Sequence, residues 1–183
     1  MNEYPILMRP ELVRATIAGR KTVTRRLGKG WADRMPGDVL WVRETWADLY
    51  GMGFDRRLAY RADSLRPDGS DEDGDSKRCR LDFGVKWKAS IFMPKSACRL
   101  WLEVVSVRLE RLQDITEEDA KSEGVQSEFE VDVATFVLRQ KDWKPDSSYR
   151  LGFKHAWNRI NPKQPWMSNP KVYRIEFKVR ERR

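Results

Sequence analysis

The chain of 183 residues carries 36 Lys and Arg against 28 Asp and Glu, and its formal charge of +8 favours an anionic partner. One domain with a buried core fits this length, and two cysteines with one histidine are too few for a His/Cys zinc site. No apolar run approaches the roughly 20 residues that span a bilayer, so we expect a cytoplasmic protein of one domain, residues 1–183, that does not contact a membrane.

The N-terminal region predicts a short strand followed by a helix. Residues 6–8 form an apolar run typical of a strand. The next segment has Pro10 where a first helical turn accepts it and Gly19 where a C-terminal cap needs a small residue. One face of this helix is predicted to carry Leu12, Val13, Thr16 and Ile17.

A basic tract, A-G-R-K-T-V-T-R-R, occupies residues 18–26. In a strand Lys21 and Thr24 would point to opposite faces, whereas in a helical turn their spacing would bring them together. The cations of the tract suit two roles. They can hold a phosphate backbone, or their repulsion can lower the pKa of one lysine until it serves as a base.

A turn at residues 36–38 introduces the strand V-L-W-V-R-E-T-W, whose one face is predicted to carry Leu40, Val42, Glu44 and Trp46. A carboxylate on such a face is either paired with a cation or lines a pocket and hydrogen-bonds the edge of a base, and we favour the ion pair for Glu44. Trp46 is either a core residue, which we favour, or a platform that stacks on a pyrimidine.

Strand and helix signals alternate through the rest of the chain. Strands are predicted at residues 57–63, 87–93, 99–112 and 172–179, and helices from Thr116 to Gly124 and over residues 147–161. The stretch 68–75 holds five carboxylates and predicts a solvated loop. Because strands outnumber helices, we expect an α+β fold, a small β-barrel with helices packed outside.

Several stretches in this order resemble the ASCH domain family, particularly its phage and prophage members. They are P-I-L-M-R-P-E-L-V-R-A-T-I-A-G-R-K-T-V-T-R-R, P-G-D-V-L-W-V-R-E-T-W, A-S-I-F-M-P-K-S-A-C-R-L, R-L-Q-D-I-T-E-E-D-A-K-S-E-G and N-P-K-V-Y-R-I-E-F. The resemblance implies a PUA-like barrel over nearly the whole chain. Compared with small family members, this chain has an acidic loop insertion near residues 64–84 and an additional segment near residues 125–150.

The resemblance implies several functions. The family was first proposed to bind RNA, some members look like ribonucleases, and small bacterial members are amidohydrolases that remove the acyl group from N4-acetylcytidine. Those amidohydrolases use a Lys and a Thr in G-R-K-T-x-T and a Glu at the end of a T-E-x-x-A-x-x-E helix. In this chain the matching residues are Lys21, Thr24 and Glu123.

Amide hydrolysis needs a nucleophile, a base, a proton donor for the leaving nitrogen and a stabilised oxyanion. Thr24 is the expected nucleophile and Lys21 its base, provided that the lysine pKa falls well below about 10.4. Repulsion from Arg20, Arg25 and Arg26, together with burial, acts in that direction. Glu123 is the expected proton shuttle. In a variant mechanism Lys21 activates water directly.

We therefore expect an amidohydrolase of N4-acylated cytosine nucleosides that requires neither a metal, nor another cofactor, nor a protein partner. Arg26, Glu44 and Trp46 are the expected substrate-binding residues. Two alternatives stay open. In the first the protein is a PUA-like RNA-binding module whose arginines hold phosphates, and in the second it is a ribonuclease.

Overall fold

The computed structural model describes residues 1–49, 58–64, 87–125 and 148–180. The acidic stretch 68–75, nearly all of the expected insertion near 64–84 and most of the additional segment near 125–150 lie outside these ranges. The chain divides into two compact units. The first comprises Met1–Ile17, Asp38–Glu103 and Val179–Arg183, and the second comprises Ala18–Gly37 and Val104–Lys178.

The described residues form a mixed α/β arrangement. The strands are β1 (Glu3–Leu7), β2 (Val23–Arg26), β3 (Val39–Arg43), β4 (Trp46–Asp48), β5 (Leu58–Tyr60), β6 (Trp101–Arg111) and β7 (Lys171–Arg180). The helices are α1 (Pro10–Ile17), α2 (Glu117–Ser122) and α3 (Ser148–Ile160). None of these helices is long and apolar enough to cross a membrane.

Strand pairing gives a five-stranded sheet in the order β1-β3-β6-β7-β2 and a separate pair, β4-β5. In the first unit β1 runs parallel to β3, and β3 runs antiparallel to the start of β6. In the second unit β2 runs antiparallel to β7. The closed barrel expected from the sequence is not seen in the described part of the chain, because β1 and β2 end the strand order without pairing with each other.

Local signals placed α1 correctly. It begins at Pro10 and ends at Ile17, and Gly19 follows with a φ of 71°, a left-handed conformation that glycine adopts without a steric penalty. Its buried residues are Val13, Ala15 and Thr16, whereas Ile17 is exposed. The face predicted from spacing is therefore rotated slightly from the one that packs.

The strand predicted at residues 87–93 is wrong. The structure has one β-bridge there, between Lys88 and Trp46, followed by a 3₁₀ turn at Ser90–Phe92. Successive backbone N–H groups of this turn donate to carbonyls three residues back, so they are not available to a strand ladder. Phe92 is 72% exposed, which a strand in the core would not allow.

The second unit is built around a cluster of buried apolar side chains from the segment after β6, from α2 and α3, from a 3₁₀ turn at Trp166–Ser168 and from β7. Helix α2 begins after Thr116, whose hydroxyl accepts a hydrogen bond from the Asp119 backbone N–H at 3.1 Å, and Gly124 ends it with a φ of 73°. The carboxylate of Glu117 accepts hydrogen bonds from the first N–H groups of α3. The cluster comprises Leu112, Ile115, Ala120, Phe153, Trp157, Trp166 and Val172.

Candidate active site

The basic tract is extended, and its first residues pair with the end of α2. Lys21 forms an antiparallel bridge with Glu123, and the Thr22 N–H donates to the Ser122 carbonyl at 2.9 Å. The Thr22 carbonyl accepts from the Phe177 N–H of β7, also at 2.9 Å. The tract is therefore held on both sides by backbone hydrogen bonds, and it continues directly into β2.

The amine of Lys21 is almost completely buried, with 1% of the residue exposed. Its Nζ donates to the Val23 carbonyl at 2.7 Å, to the Glu123 carbonyl at 2.8 Å and to Glu123 Oε2 at 2.7 Å. Three acceptors match the three N–H bonds of an ammonium group. The carbonyl of Val23 belongs to the peptide bond that precedes Thr24, so the amine lies against the backbone next to the predicted nucleophile.

The pKa of Lys21 is lowered from its ordinary value, chiefly because burial removes water from the charged form. The charge and the hydrogen bond of Glu123 oppose this effect, whereas the charges of Arg26 and Arg25 add to it. The predicted direction of the shift is confirmed; of the three arginines expected to cause it, Arg26 and Arg25 contribute and Arg20 does not. Burial is nevertheless the larger cause.

Glu123 lies directly after α2 and is 5% exposed. A carboxylate at a helix C-terminus meets the negative end of the helix dipole. Two cations offset this effect, because Oε2 accepts from Lys21 and Oε1 accepts from Arg25 Nη1 at 3.3 Å. Each oxygen of the carboxylate therefore has its own cationic donor.

Arg25 binds three carboxylates although only 5% of it is exposed. Its Nε donates to Glu110 Oε1 at 2.7 Å, and its Nη2 donates to Asp119 Oδ2 at 2.5 Å. The third bond is the one to Glu123. The guanidinium also lies over the ring of Phe153, 6.0 Å from the centroid.

Arg174 is the register partner of Arg25 across β2 and β7. It donates to both oxygens of Asp119, at 3.1 Å and 2.9 Å, and to Glu176 at 3.1 Å. Burial raises the pKa of Asp119, but the hydrogen bonds and charges of Arg174 and Arg25 outweigh it, so the pKa is lowered overall. Asp119 is therefore held as a carboxylate between two adjacent arginines.

The other two predicted residues of the tract also lie in β2. Thr24 is buried, and its register partner is Ile175. Arg26 is half-buried, and burial lowers its pKa while the charge of Glu123 opposes that effect. The structure thus brings Lys21 and Glu123 into direct contact and places Arg26 within their electrostatic influence. It does not bring Thr24 to Lys21: the tract is extended, which sends the two side chains to opposite faces, and the three hydrogen bonds of Lys21 Nζ go to Val23 and Glu123.

Glu44 and Trp46 belong to the first unit. The carboxylate of Glu44 is fully buried and accepts two hydrogen bonds from Arg99, at 2.8 Å and 2.9 Å, which confirms the ion pair favoured from the sequence. Burial raises the pKa of Glu44, and Arg99 opposes the rise. Trp46 is buried against Met93 and its neighbours, as expected of a core residue.

Sequence reasoning did not identify Arg25 as the centre of a charge cluster, and it missed Glu110, Asp119 and Arg174. One signal was present, because Asp119 and Glu123 are four residues apart and share a helix face. Within the described ranges, no group of three or more His, Cys, Asp or Glu is arranged to hold a metal ion.

No protein-family model matches this chain, and no curated protein matches it either. Among solved structures, it is similar to the hypothetical protein PH0355 at 13% identity and a TM-score of 0.42, over 98% of this chain and 100% of that one. It is also similar to an ASCH domain from Lactobacillus crispatus JV V101 at 11% identity and a TM-score of 0.40, over 97% of this chain and 79% of that one. Neither similarity bears on the roles of Lys21, Thr24 and Glu123, which stay predictions.

Proposed function

We propose that the protein is a hydrolase that removes the acyl group from N4-acylated cytosine nucleosides, with Thr24, Lys21 and Glu123 as its catalytic residues. The buried contact between Lys21 Nζ and Glu123 Oε2, at 2.7 Å, is the observation that supports this proposal. A lysine whose pKa is lowered by burial, beside a carboxylate that can carry its proton, is what acid–base catalysis requires.

The first step forms an acyl-threonine. Loss of one proton from the Lys21 ammonium to water, before the substrate binds, leaves two N–H donors for three acceptors and provides a lone pair. The neutral amine, which must approach the Thr24 hydroxyl in the substrate complex, takes its proton while the hydroxyl oxygen bonds to the acyl carbon. Lys21 passes this proton to Glu123, which gives it to N4 as the C–N bond breaks, and the cytosine nucleoside leaves with a free amino group.

The second step releases the acyl group. Lys21, again neutral, takes a proton from water while the water oxygen bonds to the acyl carbon. The bond from this carbon to Thr24 then breaks, and the threonine oxygen recovers a proton from Lys21. Arg26 is the proposed partner of the negative charge that develops on the acyl oxygen. In the variant mechanism Lys21 activates water directly and no acyl-threonine forms.

The alternative of phosphate binding by the basic tract is less well supported, because two of its cations are already occupied. Lys21 and Arg25 are buried and bonded to carboxylates. A phosphate group that reached Arg25 would have to displace Glu110 or Asp119 from the guanidinium. Phosphate contacts by the tract would therefore depend mainly on Arg20, which is exposed.

The test is incubation of the protein with N4-acetylcytidine in the presence of a chelator, with cytidine measured by chromatography. Thr24→Ala should abolish cytidine release if Thr24 is the nucleophile. Thr22→Ala is the matched control, because Thr22 lies two residues away in the same tract and is exposed. Absence of turnover by the unmodified protein would reject the proposed function. A folded Thr24→Ala variant with an unchanged rate would reject the acyl-threonine and favour direct attack by water.

Kinetics also test the expected substrate-binding roles of Glu44 and Trp46. If Glu44 contacts the substrate, Glu44→Gln should raise KM. If its carboxylate serves only to pair with Arg99, the same variant should leave KM unchanged. For Trp46 the corresponding variant is Trp46→Phe, which keeps an aromatic ring; its KM tests the expected stacking on the substrate.

A further inference from the structure

The two oxygens of the Glu123 carboxylate are bound by different cations. Oε2 faces Lys21 at 2.7 Å, and Oε1 faces Arg25 at 3.3 Å. The terminal torsion of a glutamate side chain is broad, so one hydrogen bond alone does not fix the plane of the carboxylate. Two donors on opposite oxygens do fix it.

Arg25 is held in place by groups other than Glu123. Its bonds to Glu110 and Asp119, at 2.7 Å and 2.5 Å, are shorter than its bond to Glu123. Asp119 is held in turn by Arg174, and the face of the Phe153 ring lies against the guanidinium. Arg25 is therefore a rigid support that reaches Glu123 with its remaining nitrogen.

We propose that Arg25 is a positioning residue that orients the Glu123 carboxylate so that Oε2 remains aligned with Lys21 Nζ. The proposal rests on the proposed function for its kinetic consequence, but not for its structural one. Arg25 touches neither the acyl group nor the leaving nitrogen in this scheme, and it acts through Glu123.

Charged groups from four elements meet around Arg25. The cations around it are Lys21 and Arg26 from the tract and β2, Arg108 from β6 and Arg174 from β7. The carboxylates are Glu110 from β6, Asp119 from α2, Glu123 directly after α2 and Glu176 from β7. The aromatic face from α3 carries no charge at this point. Loss of Arg25 has two opposed effects on the pKa of Lys21: loss of its charge raises this pKa, whereas loss of an aligned Glu123 carboxylate lowers it, and the contribution of Glu123 is the larger one.

The test compares two variants that differ only at Arg25. Glu110→Gln alone is the control, because it removes the negative charge of one partner of Arg25 but keeps an acceptor oxygen, and it does not alter Glu123. The double variant Arg25→Gln/Glu110→Gln removes one positive and one negative charge, so the net charge of its cluster equals that of the wild type, whereas the control lacks one negative charge. Relative to the control, we expect its kcat for N4-acetylcytidine to fall on the order of 10²-fold with KM unchanged, because Glu123 loses its alignment.

A second readout does not depend on turnover. The titration of Lys21 is followed by NMR of its labelled Cε carbon, and the midpoint in the double variant should lie at lower pH than in the control, because a misaligned Glu123 stabilises the ammonium less. Loss of the Arg25 charge without misalignment would instead move the midpoint to higher pH. An unmoved or higher midpoint, or an unchanged kcat, would overturn the proposal. If the wild-type protein showed no turnover, the proposed function would fail while the midpoints would still test the role of Arg25.

Arg25→Lys keeps the test decisive if the double variant does not fold. It retains a cation among the three carboxylates, but a lysine ammonium lacks the planar fork that bonds to all of them at once. We expect Arg25→Lys to fold and to have a kcat that lies between those of the wild type and the double variant. A wild-type kcat in Arg25→Lys would show that charge alone suffices, and the positioning role would be rejected.

Discussion

Each compact unit contains a buried carboxylate, and the two carboxylates have different cationic partners. Glu44 in the first unit receives both hydrogen bonds from the fork of Arg99. Glu123 in the second unit receives one bond from Lys21 and one from Arg25. Arginine keeps its proton at any ordinary pH, whereas a buried lysine can lose one. Similar burial therefore gives a fixed ion pair in one unit and a pair capable of proton transfer in the other.

The pKa shifts show the same contrast. Burial is the largest effect on both Glu44 and Lys21, raising the pKa of the acid and lowering that of the base. Arg99 stays charged, because Glu44 and Asp63 raise its pKa against the effect of burial. Lys21 can become neutral by giving up a proton.

The largest expected effect is on turnover, when the cation of each pair is replaced by the other type, lysine by arginine and arginine by lysine. Lys21→Arg should lower kcat/KM for N4-acetylcytidine on the order of 10²- to 10⁴-fold, because the positive charge is kept but the base is lost. Arg99→Lys is the matched control in the other pair and should leave turnover unchanged. In the wild type, turnover should rise with pH as Lys21 is deprotonated, with a midpoint below that of a free lysine. An unchanged rate and pH profile in Lys21→Arg would make Lys21 a fixed cation.

The next effect concerns stability, measured by urea unfolding at mildly alkaline pH. Arg99→Gln should lower the free energy of unfolding by about 3 kcal/mol, because it leaves the buried Glu44 carboxylate without its cationic partner. Glu123→Gln should cost less, since Lys21 can become neutral. If Glu123→Gln proved the more costly change, Lys21 would be charged in the folded protein under these conditions, and its role as a base would be contradicted.

A smaller effect is expected in acid, where protonation of Asp119 and protonation of Glu44 should change the free energy of unfolding in opposite directions. The pKa of Asp119 is lowered, so its contribution to stability is complete above the ordinary value of 3.8 and is lost as pH falls through the folded-state pKa. The pKa of Glu44 is raised, so stability falls as pH rises from 4.5 through the folded-state pKa. In each case the free energy of unfolding changes in total by about 1.4 kcal/mol for each unit by which the folded-state and unfolded-state pKa values differ.

Urea unfolding at a series of acidic pH values checks this prediction. Asp119→Asn should flatten the loss of stability in acid, and Glu44→Gln should flatten the opposite slope. Asp33→Asn serves as the control, because Asp33 is exposed. An acid profile of Asp119→Asn identical to that of the wild type would show that its two arginines do not stabilise the folded carboxylate.

The smallest expected effect is that of salt on turnover. A neutral nucleoside displaces no counterions, so hydrolysis of N4-acetylcytidine should be nearly independent of salt concentration. Binding of single-stranded RNA through phosphates would instead weaken with a log–log slope of about −0.7 per contact. Tight, salt-resistant RNA binding without nucleoside turnover would contradict the hydrolase proposal and favour a binding module.

Local sequence signals were sufficient for several elements of this fold. The cap at Thr116 and the acids that follow it predicted the start of α2, and the alternation near the C-terminus predicted β7. These features depend on hydrogen bonds and side-chain periodicity within a few residues. The same kind of signal wrongly predicted a strand at residues 87–93, because Ile91 and Phe92 belong to a 3₁₀ turn in which both side chains are exposed.

The sequence by itself determined which residues were candidates for the site, namely Lys21, Thr24 and Glu123. Only the tertiary structure decided that Lys21 is buried, and that burial lowers its pKa more than the neighbouring arginines do. It also decided the partners of Arg25, which lie 85, 94 and 98 residues away along the chain. Charge and spacing are local properties of a sequence, whereas loss of water and convergence of distant carboxylates occur when β2, β6 and α2 pack together.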